Sequence, residues 1–327
     1  MNISPKARVL TCIALLASLP IIGGCEKSSE PMAKPLMVGT NAWPGYLPGY
    51  IARDNNLYDS KLIQMHQYGS AVEVMEDFRK DKIQVAALTI DEALELSQNG
   101  IAIKIILVAN ISNGADVIIA KPDITSVKDL AGRRVGVEEG ALGRYVLARA
   151  LELNGMAPDA VRPIDILVND SVEAYQYDRL DAVVTFEPYR GQLLALDGVE
   201  IFNSKQLPNE IIDVLVIRAE YAEANPKSLR ALVKGWLAAA ALMKSDPESL
   251  AHELGWYLKI PSSEVATTFE GLIIPDARQN HALLGGREPM LLQTNGKIVS
   301  FMERQYQKPI HQLSFEIYTD RFVPDTK

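Results

Sequence analysis

Cysteine is almost missing from this sequence. Two of the 327 residues are cysteine, Cys12 and Cys25, so nothing beyond residue 25 can form a disulfide or supply a thiol nucleophile. Histidine is nearly as sparse: His66, His252, His281 and His311 are scattered without the spacing of a metal site. No G-x-S-x-G elbow is present, and paired carboxylates alone do not make an enzyme. Basic residues are in deficit, 33 Lys and Arg against 41 Asp and Glu, and a formal net charge of −8 argues against nucleic acid as a partner. After the leader no apolar run reaches the ~20 residues of a spanning helix; "LRALVKGWLAAAALMK" (229–244) is interrupted by Lys234 and reads as a buried helix. Together these absences imply a chain with no cofactor, no metal and no catalytic residues.

What the N-terminus does have is an address. Lys6 and Arg8 precede the apolar run Val9 to Ile22, which closes on Gly23, Gly24 and Cys25, the order of a secretory signal (1–24). Small residues ending at a cysteine resemble the lipobox of bacterial lipoproteins, which implies cleavage before Cys25 and acylation of its thiol. Loss of Lys6 and Arg8 takes the charge to about −10. Residues 25–34 then read as lipid anchor and polar tether, so the expectation is a periplasmic monomer that reaches the membrane only through its lipid. Glu26 is not the aspartate associated with inner-membrane retention, which tilts the anchor toward the outer membrane.

From Pro35 short apolar runs alternate with helical patterns. Strands are expected at 36–40, 62–67, 83–88 and 103–109, with helices at 48–57, 70–80 and 91–98, the grammar of an α/β fold with a largely parallel sheet. The grammar then restarts, with strands at 134–138, 164–168 and 181–186 and helices at 141–154, 170–177 and 188–196. Val38-Gly39 precedes Val135-Gly136 by about 97 residues, Val72-Glu73 precedes Val172-Glu173 by about 100, and Asp81-Lys82-Ile83 precedes Asp178-Arg179-Leu180 by about 97. Either two similar lobes or two unrelated units sharing one grammar would produce this; both give two lobes. The helical remainder, with Asn225 as a cap, Pro226 at the first helical position and a second helix opening at Pro247, is expected to return to the first lobe. Lobe 1 would span 35–119 and 220–327 and lobe 2 120–219, hinged by crossovers near 119–122 and 216–220.

Ligands in open α/β sheets sit beyond the carboxyl ends of the strands. The residues there are Asn41, Trp43 and Tyr46, then Thr89 and Asp91, then Asn110, Asn113 and Asp116. In the second lobe they are Glu138, Glu139 and Gly140, then Thr185, Phe186, Glu187 and Tyr189. Aromatics and carboxylates dominate. In "VGTNAWPGYLPGYIARDNNLYD" (38–59), Pro44-Gly45 suits a tight turn and Pro48 a first helical turn, which would hold Trp43 and Tyr46 rigidly as a binding wall or as a core plug, with Tyr50 inward. "GVEEGALGRYV" (136–146) lacks the GK[ST] of a phosphate loop and sets glutamates where an anion would sit, although the amides at the following helix start remain free to bind an oxygen; Glu138 and Glu139 serve equally as helix-dipole partners or as ligand contacts. Asp213, inside the apolar "IIDVLVI", needs an amide, a hydroxyl or a cationic ligand as partner.

The segments "TNAWPGYLPGYIARDNNLYD", "VAALTIDEAL", "SNGADVIIAK", "SVKDLAGRRVGVEEGALGRYVLARALELNGM", "LDAVVTFEPYRGQLL" and "IIDVLVIRAEYAEANP", in consistent order from about 36 to 275, resemble solute-binding proteins of ABC importers in the nitrate, taurine and thiamine-pyrimidine (NitT/TauT) group. The resemblance implies a type II periplasmic-binding-protein fold whose two lobes close over a small ligand and present it to a permease. It implies ligand roles for Trp43, Asp91, Asp116, Glu139, Gly140 and Glu187. The cysteine-rich sites of the group's pyrimidine-synthesising enzymes are absent here. The acidic, aromatic set favours an amine, an amide or a nitrogen heterocycle such as a pyrimidine over sulfonate or nitrate. A sensor that docks on a membrane receptor would need the same pocket.

Overall fold

The computed structural model describes residues 34–138, 141–306, 309–310 and 315–325. The signal, Cys25, and residues 26–33 of the tether lie outside them. Among the described residues no helix is long and apolar enough to cross a membrane.

Among the described residues eleven strands form two sheets: β1 Leu36–Thr40, β2 Ile63–Gln67, β3 Val85–Thr89, β4 Ile103–Ser112, β5 Val117–Ala120, β6 Arg134–Val137, β7 Arg162–Asp165, β8 Ala182–Thr185, β9 Val199–Asn203, β10 Ile212–Arg218 and β11 Leu272–Ile273. One sheet has the order β11-β4-β10-β3-β1-β2 and the other β7-β6-β8-β5-β9. Each is the floor of one lobe of an α/β fold. The central strands are buried on both faces, so their sequences read as continuous apolar runs. In β3, Val85 and Ala87 pack with the helices Leu47–Asp54 and Pro226–Ser245, while Ala86 and Leu88 pack with Ala71–Arg79 and Ile90–Gln98.

The spacing of about 97 residues is a real structural repeat. Val38 pairs with Val85 and Val135 with Ala182, in the same parallel register. A Cβ on Gly39 would fall 2.4 Å from Ile83 Cδ1, and one on Gly136 2.6 Å from Leu180 Cδ1, so each lobe needs a glycine where the same apolar side chain crosses its first strand. Asp81 and Asp178, the residues that open the two equivalent strand approaches, both turn left-handed, at φ 57° and 54°.

The sheets are mixed, not largely parallel. β10 runs antiparallel to β3 and β4, and β5 antiparallel to β8 and β9. Both strands enter from the opposite lobe, beginning at the edge where β3 and β8 end, so they must run back against them. The crossings accordingly come earlier than expected: the chain changes sheet between Ser112 and Val117 and returns between Asn203 and Ile212. The apolar runs "VIIA" and "IDVLVIR" are strands that find partners at once, so the crossings fall in the irregular segments just before them. Ser112 and Ser204 tie the two crossings together through their hydroxyls at 2.7 Å, and Gly114 N donates to Ser204 Oγ at 2.6 Å.

The helical remainder packs on the first lobe, with Trp236 wholly buried against the helix Leu47–Asp54. Pro226 opens its helix as expected, but the Asn225 side chain does not cap it; its amide donates to Tyr221 O. Asp246 does cap the helix Pro247–Leu258, accepting from Ser249 N at 3.3 Å.

Candidate functional site

The aromatic turn after β1 is built from local bonds. Asn41 Oδ1 accepts from Trp43 N at 3.0 Å, folding the chain back after the strand. Pro44–Tyr46 then make a 3-10 turn that runs into the helix Leu47–Asp54. Trp43 Nε1 donates to Asn110 Oδ1 at 3.1 Å. Asn110 lies so close under the turn that a Cβ on Gly45 would fall 2.1 Å from its Nδ2, which explains the glycine. Tyr50 points inward and bonds Thr40 Oγ1 at 2.8 Å, as expected.

Trp43 is both plug and wall. It is buried in the lobe 1 core, and its indole meets Phe186 of the other lobe edge to face, with centroids 5.1 Å apart. Between the lobes lies a cavity of about 40 Å³. From the first lobe it is lined by Asn41, Trp43, Tyr46, Thr89, Glu92 and Asp213, and from the second by Thr185, Phe186 and Glu138, with Asp116 at the crossing. The helix starts at Ala71 and Leu142 complete the wall.

The carboxylates are the unusual feature. Asp116 and Asp213 stand where the two returning strands begin, which is why both reach the cleft edge. Asp213 accepts from the Tyr46 hydroxyl at 2.5 Å through Oδ1, while its Oδ2 is buried without a partner. Asp116 Oδ2, Asp91 Oδ2 and Glu138 Oε1 are likewise buried and unpartnered. Burial pushes the Asp116 carboxyl up to about 7, aided by Asp91 and opposed by Ser112. Burial also raises Glu138 to about 7, against the pull of the Val168 and Ala71 amides. Asp91, Glu92 and Asp213 are all raised, first by burial and then by neighbouring acids. No lysine or arginine lines the cavity among the described residues.

Other expected residues fall elsewhere. Asp91 lies buried behind the cavity at the start of the helix Ile90–Gln98, and its charge bears on Asp116 and Asp213. Asn113 sits outside, in the first crossing, where its amide bonds Gly271 O at 2.8 Å. Glu187 turns back onto its own helix: Oε2 accepts from Gly191 N at 3.0 Å and Oε1 from Arg190 at 3.1 Å. Its role is local because the following helix begins two residues later and offers free amides nearer than the cleft. Glu139 and Gly140 lie outside the described residues. Glu92, which lines the cavity, was missed; its signal was the capping box Thr89-x-x-Glu92, through which Oε2 accepts from Thr89 N at 2.9 Å. Among the described residues no group of three or more His, Cys, Asp and Glu could hold a metal ion.

The NMT1-like family matches residues 29–254. The taurine-binding periplasmic protein of Escherichia coli (strain K12) is 21% identical over 291 residues, covering 84% of this chain and 89% of that one. Among solved structures, the alkanesulfonate-binding protein SsuA from Xanthomonas axonopodis pv. citri bound to MOPS superposes with a TM-score of 0.69 at 15% identity, over 90% of this chain and 97% of its own. The ligand-binding component of an ABC-type import system from Staphylococcus aureus, with zinc bound, gives 0.72 at 12% identity, over 87% and 96%. Both likenesses are of fold, the two-lobed periplasmic-binding-protein architecture.

Proposed function

Since the chain belongs to the NMT1-like family, we propose that it is a periplasmic solute-binding protein that captures a small nitrogen-containing molecule between its lobes and delivers it to an ABC importer. The observation that carries the ligand class is the cavity itself. Asp116, Asp213, Glu92 and Glu138 meet there beside Trp43, Tyr46 and Phe186, with no basic side chain among the described lining residues. Unpartnered buried carboxylate oxygens call for N–H donors, and the aromatic walls suit an amine, an amide or a nitrogen heterocycle.

Ligand contacts to both lobes stabilise the closed form by differential affinity, and the closed form is what a permease would read. Acylation at Cys25 would keep the protein at the membrane.

A second reading, an aminosulfonate, is favoured by the taurine-binding relative. Against it, Glu138 already takes the Ala71 amide at the start of the helix Ala71–Arg79, the group to which a sulfonate would turn. The test is a melting screen of the purified chain against amines, amides, pyrimidines, taurine, alkanesulfonates and nitrate, since a ligand that binds only the folded state raises the midpoint. A rise with nitrogenous solutes supports the first reading; a rise with sulfonates or nitrate alone replaces it.

A further inference from the structure

We propose that the interlobe cavity is a cation site in which the proton competes with the ligand: at neutral pH the lobes close over a solute carrying a positively charged nitrogen, and at acid pH they close empty. This rests on the solute-binding reading and adds to it the charge of the ligand and a means of regulation.

The starting point is an imbalance of charge in a closed space. Asp213 and Asp116 are 2% and 3% exposed, both line a cavity of only about 40 Å³, and one oxygen of each has no partner. Glu92 adds a third carboxylate from the first lobe and Glu138 a fourth from the second, with Asp91 close behind.

The groups facing this cluster relieve it only in part: Ser112 bears on Asp116, the Val168 and Ala71 amides on Glu138 and the Trp43 indole on Asp213, and none of them carries a positive charge. Tyr46, on the turn before the helix Leu47–Asp54, donates one hydrogen bond to Asp213. The helix Ile90–Gln98 contributes Glu95, the helix Ala71–Arg79 contributes Glu73, and Tyr145 and Tyr189 approach from the second lobe. Every one of these titratable neighbours is an acid or a phenol. The cations nearby are engaged elsewhere: Arg149 and Lys297 hold Glu210, Arg190 holds Glu187 and Glu200, and Arg144 holds Asp165. Lys205 lays its stem against Gly114 in the first crossing.

Like charges cannot gather in a dry cavity without neutralisation. In an open form water solvates each carboxylate; closure removes that water. Two agents can replace it. Protons can, and burial already holds Asp116 and Glu138 up to about 7, so mild acid suffices. A cationic nitrogen can as well, by donating hydrogen bonds to the unpartnered oxygens while cancelling charge. The two exclude each other, because a protonated carboxyl no longer attracts the cation. Each proton displaced by the ligand goes to solvent, and charge balances.

The experiment is small-angle X-ray scattering of the purified full chain, without ligand, at pH 5 and pH 8. The expected result is a compact particle at pH 5 and a more extended one at pH 8. At pH 8, benzylammonium, methylammonium or guanidinium should contract the particle and benzenesulfonate should not. The dissociation constant of the cation that contracts it should rise about tenfold per pH unit below ~7 for each proton displaced. The double variant Asp116→Asn with Asp213→Asn, which keeps Glu92 and Glu138, should show a smaller change of radius between pH 5 and pH 8 than the wild type; the wild-type comparison stands even if that variant fails to fold. A wild-type radius that does not change with pH overturns the proposal, as does failure of all three cations at pH 8. Contraction by benzenesulfonate also overturns it, yet leaves the solute-binding reading intact. That reading falls separately, on a melting point indifferent to every solute in the screen above.

Discussion

The indole of Trp43 and the ring of Phe186 meet edge to face at 5.1 Å, their planes 87° apart, and so join the turn after β1 to the turn after β8 across the cleft. An edge-to-face pair contributes about 0.5–1.5 kcal/mol beyond the area it buries. Phe186→Ala should therefore weaken ligand binding by up to about tenfold, by lowering the stability of the closed form. Calorimetric titration of the solute found in the melting screen checks this; an unchanged affinity would mean that the contact does not help closure.

The turn itself depends on Gly45. In Gly45→Ala the new methyl would lie 2.1 Å from Asn110 Nδ2 and 2.5 Å from Trp43 Nε1, so the bond between those side chains must break or the turn must shift. A loss of about 1–3 kcal/mol of stability is expected, together with a displaced tryptophan emission spectrum. A variant with wild-type melting and emission would show that the turn has slack the geometry denies.

Glu187→Gln separates two roles. Because Glu187 bonds Gly191 N and Arg190 and does not line the cavity, its loss should lower stability by about 1 kcal/mol and leave ligand affinity unchanged. Asp213→Asn should do the reverse, lowering affinity while sparing or raising stability near neutral pH, since it removes a carboxylate that burial makes unfavourable to ionise. Parallel melting and binding curves for the two variants decide it.

Glu210, between β9 and β10, is the acid whose shift has the opposite sign. Burial alone would raise it, but Arg149, Lys297 and the Tyr145 hydroxyl hold it down to about 2. Its stabilisation is full above the ordinary carboxylate range near 4.5 and is lost as pH falls through about 2. Lys297 is largely exposed, so solvent screening limits the contribution to about 1–2 kcal/mol. Glu210→Gln should unfold at a higher pH during acid titration followed by circular dichroism. Coincident acid transitions would mean that the ion pairs add nothing net.

Much of the site was legible because strand ends in an α/β sheet are legible. Apolar runs bounded by polar residues mark where β1, β3 and β8 stop; Thr89 and Thr185 end their strands, Asn41, Trp43, Tyr46 and Phe186 follow the stops, and all six line the cavity. Asp213 stood out as a charge in an apolar strand. Glu187 misled because sequence places a residue near the cleft without saying which way it turns, and the amide of Gly191 turned it away.

By itself the sequence determined the two-lobed α/β plan, since hydrophobic periodicity and the repeat near 97 residues are properties of the chain read in order. Only the tertiary structure decided that β5 and β10 exchange between the sheets as antiparallel strands, because pairing is settled by which edge a returning strand meets. That exchange puts Asp116 and Asp213 at the cleft, where both are buried. The charge imbalance that defines the site exists only where the two lobes meet.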